Sequence, residues 1–449
     1  MTKINKKKFF GTDGVRGEVN KFPMTPEIIL KLGMSLGSYF QNDSRKNNVL
    51  IGKDTRLSGY MLESALVSGF TSVGTDVIMV GPMPTPAVAM LTHSLEANLG
   101  VIISASHNLY KDNGIKIFGS DGHKISDSDE LEIEKRIMDG VSLSHPDLVG
   151  RATRLEGGVG RYIENLKINF KAGKTLSGMK IVIDSANGAA YRIAPQVLRE
   201  LGATVVSIND KPNGVNINDQ CGSTCPEKMI RKVLEEGADI GFALDGDADR
   251  LIVCDEKGCL VDGDHLIGAI VNYLKKNNEL RKNHVVTTSM SNLGLEIYLK
   301  KLGIKLLRSE VGDKYVLEKM ISFDTNFGAE KSGHIIFLDN STTGDGLLAA
   351  IKLLSIMLHE NKKSSEIFHP FKLFPQILRN IDSSASNSIE SEIVKETIDY
   401  HNKQLGSSGR ILVRQSGTEP LIRIMAEGTD TKSIKEAIHS IEKSFQKVN

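Results

Sequence analysis

The sequence predicts an α/β protein of four domains: three similar mixed-sheet α/β domains, then a smaller α+β domain at the C-terminus. Three observations lead there. Apolar strand-like runs alternate with helical patterns along most of the chain, in βαβ blocks that recur roughly a hundred residues apart. The final stretch breaks that order and reads helix, strand, turn, strand, helix. The length of 449 residues, 40% of them hydrophobic, exceeds what one core usually serves.

Taken in order, "NNVLIGKD" is the first clear strand. In "GYMLESALVSGFTSVG", Leu62, Ala65, Leu66, Gly69 and Phe70 fall at i, i+3, i+4 spacing and predict a helix, after which "DVIMVG" returns to strand. The alternation repeats in "MKIVIDSANGAAYRIAPQVLRELGATVVSI" and in "NHVVTTSMSNLGLEIYLKKLGIKLLRSE". Polar joints at "HPDLVGRATRLEGGVG", "VCDEKGCLVDGD" and "LHENKKSSEIFHPFKLFPQ" divide the chain into domains 1–155, 156–254, 255–368 and 369–449. The three blocks share a pattern rather than a short repeat period.

Charge and composition exclude several classes. With 56 Lys plus Arg against 55 Asp plus Glu, the formal charge of +1 gives no global field for a polyanion. No nucleic-acid partner is expected, and any anion site must be built locally. The basic start, "MTKINKKKFFGTDG", has no apolar h-region, and no apolar run approaches the ~20 residues of a membrane span. A soluble, cytoplasmic protein with no membrane partner is the expectation. Cys221, Cys225, Cys254 and Cys259 form C-x3-C and C-x4-C pairs, against the C-x2-C spacing usual in structural zinc motifs. Free thiols in a reducing compartment are the simpler reading.

Four polar loops carry chemistry. "ADIGFALDGDADRLIV" sets Asp245, Asp247 and Asp249 just past an apolar run, where neighbouring carboxylates repel unless a cation neutralises them. Oxygen-only ligands favour a hard ion, Mg²⁺ first. An EF-hand would use Glu256 as its twelfth residue, yet it needs glycine where Arg250 stands and helices where strands flank the loop. An aspartyl phosphotransferase with Asp245 as nucleophile and a solvated acidic turn remain as rivals. In "VIISASHNLYKDNGIKIF", Ser106 is followed by His107 and Asn108, with Lys116 ten residues on. A serine needs a base or metal to become a nucleophile, and a loop with helix-cap serines would look alike. "FGAEKSGH" offers Glu330 and Ser332 on a glycine-bracketed turn suited to sugar hydroxyls. "RQSGTEPLIR" adds Arg414, Ser416, Gly417, Thr418 and Arg423, guanidinium forks and free backbone N–H groups that match a phosphate, or else a solvated β-turn.

Together, in this order and over essentially the whole chain, these loops resemble the α-D-phosphohexomutase family. "FGTDGVRG" from Phe10, "GKDTRLSG" from Gly52, "CGST" from Cys221 and "VGDKYV" from Val311 are most similar to its members acting on glucosamine phosphates. The resemblance implies a phosphoserine at Ser106 and one Mg²⁺ per chain, bound by Asp245, Asp247 and Asp249 with the seryl phosphate. It implies proton transfer assisted by Lys116 and His107, with Arg250 steadying the phosphoserine. Glu330 and Ser332 would hold sugar hydroxyls, while Arg414, Ser416, Gly417, Thr418 and Arg423 would clamp the phosphate that is not reacting. The loops would meet in a central cleft. The implied activity interconverts glucosamine 6-phosphate and glucosamine 1-phosphate, on the route to UDP-N-acetylglucosamine and peptidoglycan precursors. Glucosamine 1,6-bisphosphate would be intermediate and activator; mannose or glucose phosphates are the alternative substrates. The implied partners are a hexosamine phosphate and an activating phosphoryl donor, with a homodimer left open. Leu109 stands where the family usually has proline, Lys331 where these members usually have glutamine, and Cys225 where histidine is common.

Overall fold

The computed structural model describes residues 7–11, 13–41, 47–170, 173–382, 389, 391–415 and 421–446. They form two compact units, residues 1–289 with 307–369, and residues 290–306 with 370–449.

The first unit holds three mixed sheets, apart from the first two residues of the strand Lys305–Ser309, which fall in the second. Strands β1 (Phe10–Gly11), β2 (Gly14–Glu18), β3 (Asn48–Lys53), β4 (Asp76–Pro82), β5 (Leu99–Ile103), β6 (Asp112–Gly119) and β7 (Ala152–Arg154) make a seven-stranded sheet in the order β1-β2-β6-β5-β3-β4-β7. Strand β3 lies parallel to both β4 and β5, and every residue of β5 is buried. A strand covered on both faces reads as a continuous apolar run, which is why "LGVII" shows no alternation. The helix Ser58–Ser72 buries Leu62, Leu66, Gly69 and Phe70 as its spacing predicts, in a core with Val49, Ile51, Val101 and Ile103.

The second sheet takes β8 (Lys180–Asp184), β9 (Thr204–Ile208), β10 (Ile240–Leu244), β11 (Leu251–Asp255) and β12 (Leu260–Val261) in the order β12-β11-β10-β8-β9. The stretch "VCDEKGCLVDGD" is thus the β11–β12 hairpin of a sheet rather than an irregular joint, followed by a helix capped by the Asp262 side chain. The third sheet takes β13 (His284–Thr288), β14 (Lys305–Ser309), β15 (Phe327–Ala329) and β16 (Ile335–Phe337) in the order β14-β13-β15-β16. No helix among the described residues is long and apolar enough to cross a membrane.

In the second unit β17 (Gln376–Asp382), β18 (Gly409–Gln415) and β19 (Leu421–Gly428) form an antiparallel sheet in the order β17-β19-β18. The helices Glu392–Leu405 and Thr431–Gln446 bury Val394, Ile434, Ile438 and Phe445 with Ile422 and Ile424 of β19. Helix, strand, strand, helix follow as the sequence predicts, but β17 is additional. Its "QILRNID" alternates too weakly to stand out: Arg379 interrupts the face of Ile377 and Ile381 that meets the core, and Leu378 on the other face is exposed. The helix Leu293–Lys301 also belongs here, with Tyr298 stacked on Phe371 and Asn292 Nδ2 donating to Phe374 O at 2.9 Å.

Candidate active site

Ser106 sits just past β5, where the chain turns back toward β6. It is 3% exposed and adopts φ +51°, the left-handed region that serine rarely enters. Ser104 Oγ accepts its amide at 3.0 Å, and its own hydroxyl donates to Asp245 Oδ2 at 2.6 Å. His107 Nδ1 is 3.4 Å from the same Oγ. The pairing of Ile102 with Lys116 across β5 and β6 brings the lysine to this loop.

Asp245, Asp247 and Asp249 occupy the tight turn from β10 into β11. They are 0%, 0% and 5% exposed, and one oxygen of each lies within 4.8 Å of the others. Lys116 Nζ donates to Asp247 Oδ2 at 2.9 Å and Asp249 Oδ2 at 3.0 Å, and Thr85 Oγ1 donates to Asp247 Oδ2 at 2.6 Å. The Oδ1 atoms of Asp247 and Asp249, also buried, have no hydrogen-bond donor among the described residues. Buried carboxylate oxygens without a donor are costly unless a cation faces them. With Asp245 alongside, these residues fit a hard divalent ion held by oxygen atoms. All four cysteines are free thiols, Cys221 and Cys254 buried and Cys259 exposed, and Cys225 donates to Glu227.

Electrostatics separates the groups. Burial, reinforced by Asp249 and Asp247, pushes the Asp245 carboxyl well above the usual carboxylate range. Burial works the same way on Asp247, but Lys116 and the Thr85 hydroxyl outweigh it and hold that carboxyl low. Lys116 is itself desolvated, yet Asp13, Asp247 and Asp249 keep its ammonium charged. Burial, with Arg250 and Arg16 nearby, pushes His107 down to about 4, so its imidazole is neutral at neutral pH. The cluster therefore holds a charged acid, a neutral base and a hydroxyl at one point.

The next loop arrives through a single β-bridge, Arg250 with His334. Leu251 N donates to Gly333 O at 3.0 Å, and a Cβ on Gly333 (φ +90°) would fall 2.3 Å from Leu251 O, so only glycine lets the two loops touch. Arg250 N donates to Asp245 Oδ1 at 3.2 Å. Glu330 is buried, with Oε1 accepting from Gly312 N at 3.0 Å; Ser332 is exposed on the turn. Lys331 pairs with Asp262 at 3.3 Å.

The structure thus gathers Ser106, His107, Lys116, Arg250, Asp245, Asp247 and Asp249 into one cluster and bridges it to the Glu330 loop. Arg414 and Arg423 belong to the second unit, where they stand directly opposite each other on β18 and β19. Ser416, Gly417 and Thr418 lie outside the described residues. Sequence reasoning gives no sign of Thr85 or Lys124. Lys124 Nζ bridges Asp13 Oδ1 and Asp313 Oδ2, each at 2.5 Å, and Asp13 Oδ2 in turn lies 3.3 Å from Lys116 Nζ. The one available signal is the charge of Asp13 within "FGTDGVRG".

Four profiles of the phosphoglucomutase/phosphomannomutase family match the chain: α/β/α domain I over residues 7–142, domain II over 160–258, domain III over 262–374 and the C-terminal domain over 386–444. A phosphoglucomutase/phosphomannomutase family protein from Burkholderia thailandensis shares the fold with TM-score 0.83 at 22% identity, over 98% of each chain. An Aspergillus fumigatus N-acetylphosphoglucosamine mutase, solved with GlcNAc-6P and magnesium, shares it with TM-score 0.67 at 16% identity, over 99% of this chain and 96% of that one. Fold and site define a phosphohexomutase, an intramolecular phosphotransferase among the isomerases. The phosphoglucosamine mutase of Phenylobacterium zucineum is 51% identical over 99% of this chain and 100% of its own length. That of Parvibaculum lavamentivorans is 52% identical over 97% and 98%. The chain belongs to the phosphoglucomutase/phosphomannomutase family.

Proposed function

We propose that this chain interconverts glucosamine 6-phosphate and glucosamine 1-phosphate through a phosphoserine at Ser106 and glucosamine 1,6-bisphosphate. The observation that carries the reading is the buried Ser106 hydroxyl, bonded to Asp245 in a carboxylate cluster with two oxygens lacking a donor. Asp245, Asp247 and Asp249 would hold Mg²⁺, which when bound neutralises charge on the transferring phosphoryl group.

The chain's own residues account for the rest. The bond from phosphorus to Ser106 Oγ breaks as a bond to the sugar's free hydroxyl forms. Lys116, kept charged, donates toward the departing seryl oxygen, and the neutral His107 imidazole takes the hydroxyl proton. Arg250 steadies the phosphoserine. Transfer back from the other end of the bisphosphate restores the enzyme, so trace bisphosphate activates it.

Preference for the amino sugar rests on Glu330, whose carboxylate can pair with the 2-ammonium where a neutral hydroxyl cannot give an equal contact. Lys331 would oppose this if its ammonium entered the site, but it is directed to Asp262. The curated relatives at 51% and 52% identity carry the same substrate in their names. A coupled assay of glucosamine 6-phosphate, glucose 6-phosphate and mannose 6-phosphate with trace bisphosphate tests the reading. The amino sugar should have the highest kcat/KM, and a higher value for either neutral sugar would reassign the substrate.

A further inference from the structure

We propose that Arg56 and Asn218 are positioning residues that clamp the backbone of the reactive serine from two domains; this rests on Ser106 being the phosphoryl carrier. Arg56 follows β3, is 0% exposed, and sends Nη2 to Ser106 O at 3.2 Å and Asn108 O at 2.6 Å. Asn218, in the loop before "CGST" of the second α/β domain, sends Nδ2 to the same two carbonyls, at 2.8 and 2.9 Å. Two independent donors converge on the carbonyls that flank His107.

Neither donor moves freely. The Arg56 guanidinium is also paired with the buried Asp54 carboxylate, and Arg56 N donates to Asp54 Oδ1 at 2.9 Å. Asn218 is 4% exposed, its own amide donating to Ala186 O at 2.9 Å. A Cβ on Gly246 would lie 2.6 Å from Ser106 O and 2.8 Å from Asn218 Nδ2, so the metal-loop turn closes directly on the clamp.

The φ of +51° at Ser106 costs energy and persists only where surroundings over-determine it. Relaxing φ to a negative value would swing Cβ, and with it Oγ, away from Asp245. The clamp grips carbonyls rather than the hydroxyl, so its bonds are the same whether Oγ carries a proton or a phosphoryl group. It holds the loop where adding a dianion beside three carboxylates would push it out.

The test compares wild type with Asn218→Ala and Arg56→Lys, measuring kcat and KM for glucosamine 6-phosphate, Tm, and the mass of the Ser106 peptide. Both variants should lower kcat roughly ten- to a hundredfold, with KM within about twofold, because misplacing a reacting atom by about 1 Å costs rate rather than ground-state binding. Hydrolysis of the phosphoserine should rise relative to transfer. If Arg56→Lys fails to fold, Asn218→Ala decides. Unchanged kcat per folded molecule, with only Tm lowered, overturns the clamp while leaving the phosphoserine reading intact. A wild-type enzyme with no phosphate on Ser106 overturns both.

Discussion

A serine hydroxyl at neutral pH is a weak nucleophile, and Ser106 becomes useful only through what faces it: Asp245 at 2.6 Å, His107 at 3.4 Å and a charged Lys116 nearby. Ser106→Ala should therefore abolish the phosphorylated peptide and lower kcat by roughly 10³-fold or more. Ser104→Ala is the informative control: Ser104 Oγ accepts from the Ser106 amide at 3.0 Å and from Arg56 Nη1 at 3.4 Å, supporting the loop without carrying the phosphoryl group, so the phosphate should remain on Ser106. Chelation should remove activity and added Mg²⁺ restore it; full turnover in EDTA would mean that the unpartnered oxygens of Asp247 and Asp249 serve something other than a metal. Lys331 raises a subtler case. Its ion pair with Asp262 is partly exposed, worth about 0–1 kcal/mol, but the geometry suffices to aim the side chain. Lys331→Gln should leave the ratio of kcat/KM for glucosamine and glucose phosphates within about twofold; a larger change would place its ammonium against the sugar.

Among elements, the antiparallel pairing of β18 and β19 sets Arg414 directly opposite Arg423, two guanidinium groups on one face of the sheet. Arg414→Lys keeps the charge but loses the fork, so sugar-phosphate binding should weaken by ~1 to 3 kcal/mol with the fold intact. An unchanged KM and kcat would remove Arg414 from sugar-phosphate binding. Glu256 is another element-level device. Its carboxylate accepts from Ser364 Oγ at 2.6 Å, Ser365 Oγ at 2.5 Å and Ser365 N at 2.9 Å, at the start of the helix Ser364–Ile367. Burial would raise its pKa, but these donors outweigh it and hold the carboxyl at about 2. A depressed folded-state pKa means stability present above the unfolded value near 4.5 and lost as pH falls through 2. The Tm of wild type should thus exceed that of Glu256→Gln at pH 6, and the gap should close on acidification across that window. A gap constant with pH would remove the carboxylate from the explanation. The same residue shows what sequence can tell. Glu256 draws notice as the twelfth position of a calcium loop, the strands β10 and β11 exclude that reading, and nothing local reveals its distant partner 108 residues on.

At the scale of the whole chain, legibility follows contact order. The triad and Ser106 are visible because each is a compact polar run at the end of an apolar strand, and the fold class is visible because strand and helix patterns alternate along the chain. Charges that join domains leave no such trace, since their partners are unrelated in sequence. Lys124, just beyond β6, bridges Asp13 of its own domain and Asp313, 189 residues away at the start of the helix Asp313–Ser322. Thr342 Oγ1 donating to Gly122 O at 2.6 Å and Lys314 with Asp127 at 2.7 Å reinforce the same junction inside the first unit. Burial works against both carboxylates; Lys116, then Lys124 and Arg16, keep Asp13 ionised, and Lys124 does so for Asp313. Burial also opposes the Lys124 charge, but Asp13 and Asp313 outweigh it and hold its pKa above the ordinary lysine value, so the ammonium stays charged. A buried ion pair adds little over apolar packing, yet removing one member strands the other. Here one lysine serves two carboxylates, so Lys124→Met should cost roughly 3 kcal/mol or more, read as a lower midpoint in urea unfolding. Lys124→Arg, which restores the charge, should recover most of it. If Lys124→Met unfolds at the wild-type midpoint, the bridge contributes nothing net, and the junction must rest on its other contacts, among them the Lys314–Asp127 pair and the Thr342 hydroxyl.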